Sequence, residues 1–213
     1  MGTDKSTLVN LSNIEEATVI EMQPSFERLP KTAHADGAYR LRRFSAVLFH
    51  RSALKILREN QFVQSSSVNH FQGDVVREFE GIEVSLLKSD AMLKVCSLFA
   101  ENAGLSEGEK IEIHQIRILA DGDAVPAAPE GIHQDGFNHV AVVAVNRLNA
   151  VGGEFQVFRD PASLPILNLT LSNGEVALVN DEAMWHYAAP LKPIDSSKPA
   201  VWDLFVLTAG GKD

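Results

Sequence analysis

The second half of the chain is a series of short, β-branched-rich segments, and this pattern restricts the fold more than any other feature. The segments are bounded by Gly, Pro and Asn or Asp and comprise residues 109–120, 139–149, 152–159, 166–181 and 200–209. Such short segments at regular spacing are typical of antiparallel sandwiches and barrels. Within 166–181, Asn173-Gly174 predicts a hairpin turn. We therefore expect a double-stranded β-helix, that is, a jelly-roll or cupin-like core.

The first half contains helical signals as well as strands. Residues 16–23 and 39–49 are predicted strands, and 52–62 has a helical spacing of Leu and Ile. The strongest helix prediction is 89–105, which opens with a Ser-Asp cap and closes near Gly104. The fold class is therefore α+β, with helices that flank the jelly roll. We expect residues 1–14 to be a flexible polar arm and 15–213 to be a single domain, since no linker or repeat interrupts them.

Composition and charge exclude several classes of partner. The net charge of −9 argues against nucleic acid, because phosphate binding needs a basic face. No apolar run approaches the ~20 residues that would span a membrane, and the N-terminus lacks the features of a signal peptide. The single cysteine, Cys96, fits a reducing cytoplasm and is predicted to be a buried structural thiol. A small-molecule substrate is the expected partner, and a homodimer is compatible with the sequence.

A His-x-Asp-Gly sequence occurs twice and raises the question of a metal site. Two imidazoles and one carboxylate on one face of a metal are the ligand set of mononuclear non-haem iron(II). His133 and Asp135 can supply two of these ligands, since residues i and i+2 point to the same side of a strand. His34-Ala35-Asp36 has the same spacing but lies in a polar turn with no apolar strand attached. The tripeptide alone is weak evidence, because about one copy is expected by chance.

The second copy has a candidate third ligand. His186 follows the strand-like segment 175–181 and could be brought beside His133 by the fold. The alternative is that both histidines are strand-end residues bonded to backbone and that Asp135 caps the turn at Gly136. His139 has the same parity as His133, but it lies too far along the chain to reach the same metal, so we expect it to be a bystander.

Several further motifs surround this cluster in a characteristic order. They are PEGIHQDG (129–136), NRLN (146–149), GGE (152–154) and WHYAAP (185–190), preceded by RLRRFS (40–45), QSSSVNHFQGDVVREFE (64–80) and HQIRI (114–118). Together they resemble the family of bacterial iron(II)/2-oxoglutarate dioxygenases that includes the L-isoleucine hydroxylases. The resemblance covers most of residues 40–209.

The resemblance implies an activity and the residues that carry it. His133, Asp135 and His186 would be the catalytic metal ligands, Fe(II) the metal, and 2-oxoglutarate and O2 the cosubstrates. The reaction would be hydroxylation of a small polar metabolite such as a free amino acid or a derivative. The candidate substrate contacts are Gln64, Asn69, Arg77 and Glu130. For an amino-acid substrate, Arg77 or alternatively Arg117 could bind the carboxylate, and Glu130 could bind the ammonium group.

The chain departs from the family pattern at one position on the last strand. Relatives hold the distal carboxylate of 2-oxoglutarate with an arginine there, because the guanidinium fork suits a carboxylate. Here Trp202 occupies that position. Another cation could take over, with Arg147 or Arg117 as the first candidates and Lys192 or Lys198 as others. Alternatively the enzyme is a 2-oxoglutarate-independent iron oxidase, or the site is degenerate and the protein binds without catalysis.

Overall fold

The computed structural model describes residues 7–66 and 69–211, and within them the chain is mostly antiparallel sheet. Three helices are present: α1 (Glu16–Met22), α2 (Val84–Leu87) and α3 (Asp90–Ala103), with a 3-10 turn at Gln23–Arg28. The fourteen strands are β1 Val9–Asn13, β2 Arg40–His50, β3 Ala53–Ile56, β4 Gln61–Phe62, β5 Arg77–Glu78, β6 Lys110–Ala120, β7 His139–Leu148, β8 Ala150–Gly152, β9 Phe155–Phe158, β10 Leu167–Leu169, β11 Glu175–Asn180, β12 Trp185–Ala188, β13 Leu191–Pro193 and β14 Ala200–Ala209. None of the described helices is long and apolar enough to cross a bilayer.

Two sheets face each other and form the jelly roll that the sequence predicts. The larger sheet has the order β1-β11-β7-β14-β6-β2-β3, and the smaller has the order β10-β9-β12. One apolar cluster lies between them and joins residues of the large sheet, such as Ile116 and Leu204, to residues of the small sheet, such as Phe155 and Val157. Because all these pairings are antiparallel and the two faces bury a common core, the architecture is a double-stranded β-helix.

The other face of the large sheet is covered by helices. Met92, Val95 and Phe99 of α3 belong to a second cluster with Ile111 and Ile113 of β6. The prediction for α3 is confirmed: the side chain of its N-cap residue, Ser89, accepts a hydrogen bond from a backbone N–H, and the helix ends at a glycine with a φ of 69°. Alternate residues of each central strand therefore face the helices or the small sheet, which decides where each side chain can act.

Cys96 lies inside this second cluster. Its side chain is fully buried, and burial raises the pKa of the thiol to about 12. The expected structural role of this cysteine is confirmed, since a thiol that stays protonated and buried is a poor nucleophile.

Three local predictions from the first half are wrong. Residues 16–23 form α1 rather than a strand, because Val19 and Met22 share one buried helical face that packs near α3. The segment 52–62 forms the edge strand β3 and the short β4 rather than a helix. Its side chains alternate between exposed and half-buried along Ala53–Ile56, which is the period of a strand. In the predicted flexible arm, Val9–Asn13 pairs with β11 as a strand, and residues 1–6 lie outside the described residues.

The hairpin predicted at Asn173-Gly174 is also absent. Gly174 does turn the chain, with a φ of 87°. However, β10 on one side of the turn pairs with β9 of the small sheet, whereas β11 on the other side pairs with β7 of the large sheet. The turn signal was correct, but it marks a crossover between sheets rather than a pair of neighbouring strands.

Candidate metal centre

His133, which lies outside the regular strands, pairs with His186 of β12 through an isolated antiparallel bridge. The backbone N–H of each residue donates to the carbonyl of the other, at 3.0 and 2.9 Å. The bridge places the two imidazoles side by side, with ring centroids 4.4 Å apart. His186 lies on β12 itself rather than at the end of the preceding strand. The fold thus brings together two residues that are 53 positions apart in the chain (186 − 133).

Asp135 completes a cluster that can hold one metal ion. One carboxylate oxygen lies 3.7 Å from Nε2 of His133, and the other lies 3.2 Å from Nε2 of His186. All three potential ligand atoms lie within 4.8 Å of one another. In the part of the chain that the structure describes, no other group of three His, Cys, Asp or Glu side chains meets this criterion. Two imidazoles and a carboxylate with open positions are the donor set that suits non-haem Fe(II).

The hydrogen bonds of His133 leave the correct nitrogen free for a metal. Its Nδ1 lies 2.8 Å from the carbonyl oxygen of Gly131. Because a carbonyl can only accept, Nδ1 must donate, and Nε2 then keeps its lone pair on the side of Asp135. This contact to the main chain also fixes the orientation of the ring, as is usual for metal-binding histidines.

Asp181, which the sequence analysis missed, supports the cluster from behind. Its buried carboxylate accepts backbone N–H groups from Asp135 at 2.8 Å, Gly136 at 2.9 Å and Phe137 at 3.2 Å. These bonds hold the turn at Gly136, whose φ is 85°. The same carboxylate lies 3.6 Å from Nδ1 of His186. The available sequence signal was a carboxylate at the end of a buried strand, five residues before the third candidate ligand (186 − 181).

Three predicted substrate residues form a chain of hydrogen bonds that ends at Asp135 of the metal cluster. Nε2 of Gln64 donates to a carboxylate oxygen of Asp135 at 3.0 Å. The amide oxygen of Gln64 accepts in turn from Arg77 at 2.8 Å and from Asn69 at 2.9 Å. The side chains of Gln64, Asn69 and Arg77 are buried. They therefore orient Asp135, whatever contact they also make with a substrate.

The charges within the cluster favour an ionised carboxylate. Burial alone would raise the pKa of Asp135, but the hydrogen bond from His186 and the charge of His133 hold that pKa well below its usual range. Burial acts to lower the pKa of His186, and the hydrogen bond to Asp135 outweighs it, so the pKa of His186 is raised. A metal that binds here would displace the proton that His186 and Asp135 share.

A cavity between the two sheets opens beside the cluster. Its lining combines the three candidate ligands with an apolar wall and with four charged residues: Arg40, Arg42, Arg77 and Glu130. Glu130, the predicted partner for a substrate ammonium group, lies 3.5 Å from Nη1 of Arg40. The cavity is therefore polar at one side and apolar at the other.

The predicted replacements for the missing arginine lie elsewhere. Arg117 faces the helices and is fully engaged, with 2.6 and 2.9 Å bonds to Asp203 and a 2.9 Å bond to Glu27. Arg147 donates to the carbonyl of Gly152 and stacks over the ring of Trp202, at 5.4 Å. Neither arginine lines the cavity, and Lys192 and Lys198 are exposed outside it. The structure does not bring these four cations to the metal cluster.

Trp202 itself lines the cavity at the position of the expected arginine. Its side chain is buried, and its indole Nε1 has no hydrogen-bond partner among the described residues. One unpaired N–H is available there, but the positive charge that would hold a carboxylate is absent. His139 lies at the start of β7 outside this cavity, as expected of a bystander.

Comparison with known proteins places this geometry in a family. The family model described as 2OG-Fe dioxygenase matches residues 23–208. No curated protein sequence matches the chain. Among solved structures, a bsmA homolog from Methylobium petroleophilum is 26% identical with a TM-score of 0.82, covering 97% of this chain and 90% of that one.

Two more distant structures share the fold. IDO from Bacillus thuringiensis is 18% identical, has a TM-score of 0.77 and is matched over 98% of this chain and 92% of its own. The Fe(II)/α-ketoglutarate-dependent dioxygenase TqaL is 11% identical, has a TM-score of 0.66 and is matched over 97% of this chain and 83% of its own. The family match spans most of the chain and includes all three residues of the candidate metal cluster. The chain therefore belongs to the 2OG-Fe dioxygenase family, whose cofactors are Fe(II) and 2-oxoglutarate.

Proposed function

We propose that this protein hydroxylates a small polar metabolite, such as a free amino acid or an amino-acid derivative, with Fe(II) held by His133, Asp135 and His186. The observation that carries the proposal is the convergence of two imidazole nitrogens and one carboxylate within 4.8 Å at the side of a partly polar cavity. This donor set fits Fe(II), and it leaves coordination positions for a cosubstrate.

The residues around the triad would orient its three side chains before a metal ion or cosubstrate binds. The backbone carbonyl of Gly131 fixes the ring of His133, Asp181 accepts backbone N–H groups that hold the turn at Gly136, and Gln64 fixes Asp135. Such supporting contacts orient metal ligands and raise their affinity. Bound Fe(II) and 2-oxoglutarate would supply the oxidising power for attack on a C–H bond.

The cavity supports a substrate with both polar and apolar parts. Val140, Val142 and Phe155 form an apolar wall, which would hold a side chain and exclude water from the reacting carbon. The opposite side offers Arg77 and Glu130, which would face the carboxylate and ammonium groups of an amino acid. The relative IDO, an isoleucine dioxygenase, acts on a molecule of this class, which supports the same class here.

Family membership also bears on the three explanations for Trp202. A family that uses 2-oxoglutarate favours retention of this cosubstrate with a different anchor. The predicted single domain and the possible homodimer remain proposals.

An anaerobic titration tests the metal site. Fe(II) is added to the wild type and to the His133→Ala and His139→Ala variants, and 2-oxoglutarate is then added while a charge-transfer band is recorded. We expect the wild type and His139→Ala to give the band and His133→Ala to lose it.

A second experiment tests the substrate class. The protein is incubated in air with a panel of L-amino acids and their N-acyl derivatives, and succinate and hydroxylated product are measured. Equal iron binding by His133→Ala, or no product from any member of the panel, would contradict the corresponding part of the proposal.

A further inference from the structure

The three arginines that line the cavity are unequally partnered. Arg40 lies 2.9 Å from Asp36 and 3.5 Å from Glu130. Arg77 donates to Gln64 and lies over the ring of Phe62. In contrast, the guanidinium of Arg42 makes no hydrogen bond to the described residues. It lies over the ring of Phe79, 5.4 Å from the centroid, and its nearest carboxylate oxygen, on Asp36, is 3.9 Å away. Nε of Arg40 and Nε of Arg77 also lack a partner, but Arg42 is the cavity arginine whose whole guanidinium makes no hydrogen bond to the described residues.

Because Arg42 is buried, the lack of hydrogen-bond partners for its charge destabilises the folded state. Only 7% of its side chain is exposed. Burial, followed by repulsion from Arg40, lowers the pKa of Arg42 to about 9, although Asp36 opposes the shift. A buried charge without hydrogen-bond partners destabilises the folded state unless a partner of opposite charge is supplied. An anionic ligand in the cavity would be such a partner.

The register of the sheet places Arg42 on the cavity face, in the row next to that of Trp202. On the cavity face, Arg40 is aligned with Ile118 and then Trp202, and Arg42 is aligned with Ile116 and then Leu204. Strands β2 and β14 are two strand spacings apart, or about 10 Å. On this face isoleucine side chains of β6 separate the two strands, and Arg42 and Trp202 line the same cavity in adjacent rows.

The charges of the site leave one cation unbalanced. Arg40, Arg42 and Arg77 carry three positive charges, and Asp36 and Glu130 carry two negative charges, so one positive charge remains (3 − 2) when Asp135 is assigned to the metal. The guanidinium fork matches a carboxylate in two parallel bonds.

We propose that Arg42 binds the C5 carboxylate of 2-oxoglutarate, and that this cation replaces the arginine absent from position 202. The inference rests on the proposed binding of Fe(II) by the triad. It assigns to β2 a role that relatives give to β14, and it leaves Trp202 as an apolar wall with one N–H donor. Neither Arg117 nor Arg147 is needed for this contact.

The test is a binding cycle with two ligands and five proteins. Under anaerobic conditions, 2-oxoglutarate and 2-oxovalerate, in which a methyl group replaces the C5 carboxylate, are titrated into Fe(II)-loaded protein by calorimetry. The wild type should prefer 2-oxoglutarate by about 10–100-fold, the value of a hydrogen-bonded charge pair. Arg42→Met should lose this preference while its affinity for 2-oxovalerate is retained, and Arg42→Lys should keep part of it.

Arg43→Met is the matched control, since Arg43 is the next residue on β2 but pairs with Glu80 and Glu83 outside the cavity. It should keep the full preference. The ratio of two ligands on one protein is insensitive to a partial loss of folded material. The melting temperature of ligand-free Arg42→Met should equal or exceed that of the wild type, because a buried, weakly paired charge has been removed.

Several outcomes would overturn the assignment. If Arg42→Met keeps the wild-type preference, the C5 carboxylate is bound elsewhere and Arg42 serves a substrate carboxylate or the fold. If Arg147→Met abolishes the preference and Arg42→Met does not, the anchor is on β7. A wild-type protein that binds no iron would contradict the proposed function and this inference together, whereas normal iron binding with an unchanged ligand ratio contradicts the inference alone.

Discussion

The chain contains His-x-Asp-Gly twice, at 34–37 and 133–136, and the two copies have different roles: His133 and Asp135 line the cavity, whereas residues 34–37 do not. In the first copy, the imidazole of His34 lies 3.1 Å from the carbonyl of Glu78, and Asp36 pairs with Arg40, which itself lines the cavity. In the second, His133 faces His186, and Asp135 points between them. The same residue types thus serve a cation cluster in one place and a candidate metal cluster in the other.

The difference arises from what surrounds each aspartate. Asp36 precedes β2, which carries arginines on its cavity face, so its carboxylate is neutralised by side chains already present. Asp135 has no arginine within ion-pair distance among the described residues, and its neighbours are two imidazoles and an amide. A carboxylate flanked by two imidazoles that can give up their protons is the arrangement that a divalent metal completes. The strand pairing, not the tetrapeptide, decides which copy can bind a metal.

Exchange of each aspartate for asparagine should give the largest contrast between the two copies. Asp135→Asn should lose iron binding by more than about 100-fold, because a ligand and its charge are removed. Asp36→Asn should keep iron binding but lower the free energy of unfolding by about 3 kcal/mol, since a buried ion pair loses one partner. Anaerobic iron titration and urea denaturation of both variants measure these effects. Comparable loss of iron in Asp36→Asn would show that the two copies are not separable.

Removal of Asp181 should have an intermediate effect on the second copy alone. Asp181→Ala leaves all three candidate ligands in place but frees the turn at Gly136 that positions Asp135, so iron affinity should fall by about 10–100-fold. Asp160, an exposed turn carboxylate that accepts the N–H of Ala162, provides the matched control as Asp160→Ala. Iron titration of folded protein, checked by circular dichroism, measures the change. Equal affinities in the two variants would rule out a positioning role for Asp181.

The smallest expected effect is a pH dependence of the free energy of unfolding that arises from His114, another residue of the cavity lining. His114 is buried among Phe44 and Phe62, and burial, followed by the positive charges of Arg42 and Arg77, lowers its pKa well below 6.5. Between the folded pKa and 6.5 the unfolded chain therefore binds more protons. Stability should fall as pH is lowered through 6.5, by at most about 1.4 kcal/mol per pH unit.

The measurement compares urea denaturation of the wild type and His114→Leu at pH 7.5, 6.5 and 5.5. The difference between the two proteins should change with pH in the direction given above, because other titrating groups are common to both. A constant difference would mean that His114 keeps an ordinary pKa in the folded protein.

The sequence predicted the scaffold better than its periphery. Residues 109–120, 139–149 and 200–209 are long, apolar and β-branched, and each forms a central strand as expected. The predictions for the short segments 16–23 and 52–62 were wrong. In such short stretches tertiary contacts override intrinsic propensity, with α3 in the first case and with the sheet edge in the second. Hydrophobic pattern is most informative where a strand is buried on both faces.

The metal cluster could be anticipated because its motifs are local, but its supports could not. The parity of β6 would have placed Arg117 with Ile111 and Ile113 on the helical face, away from the cavity. By contrast, the contacts of Asp181 and Arg42 depend on which strands become neighbours and in what register. A single sequence does not specify either set of contacts.

Strand β1 covers the edge of the large sheet next to the metal site, although the sequence of residues 9–13 did not predict a strand there. Val9–Asn13 pairs along the full length of β11, the strand that leads into Asp181. Without it, β11 would present unpaired N–H and C=O groups at the edge of the large sheet, ready to pair with another chain. The short N-terminal strand therefore shields the scaffold of the candidate metal site from intermolecular β-pairing, and the integrity of the site and resistance to aggregation depend on the same five residues.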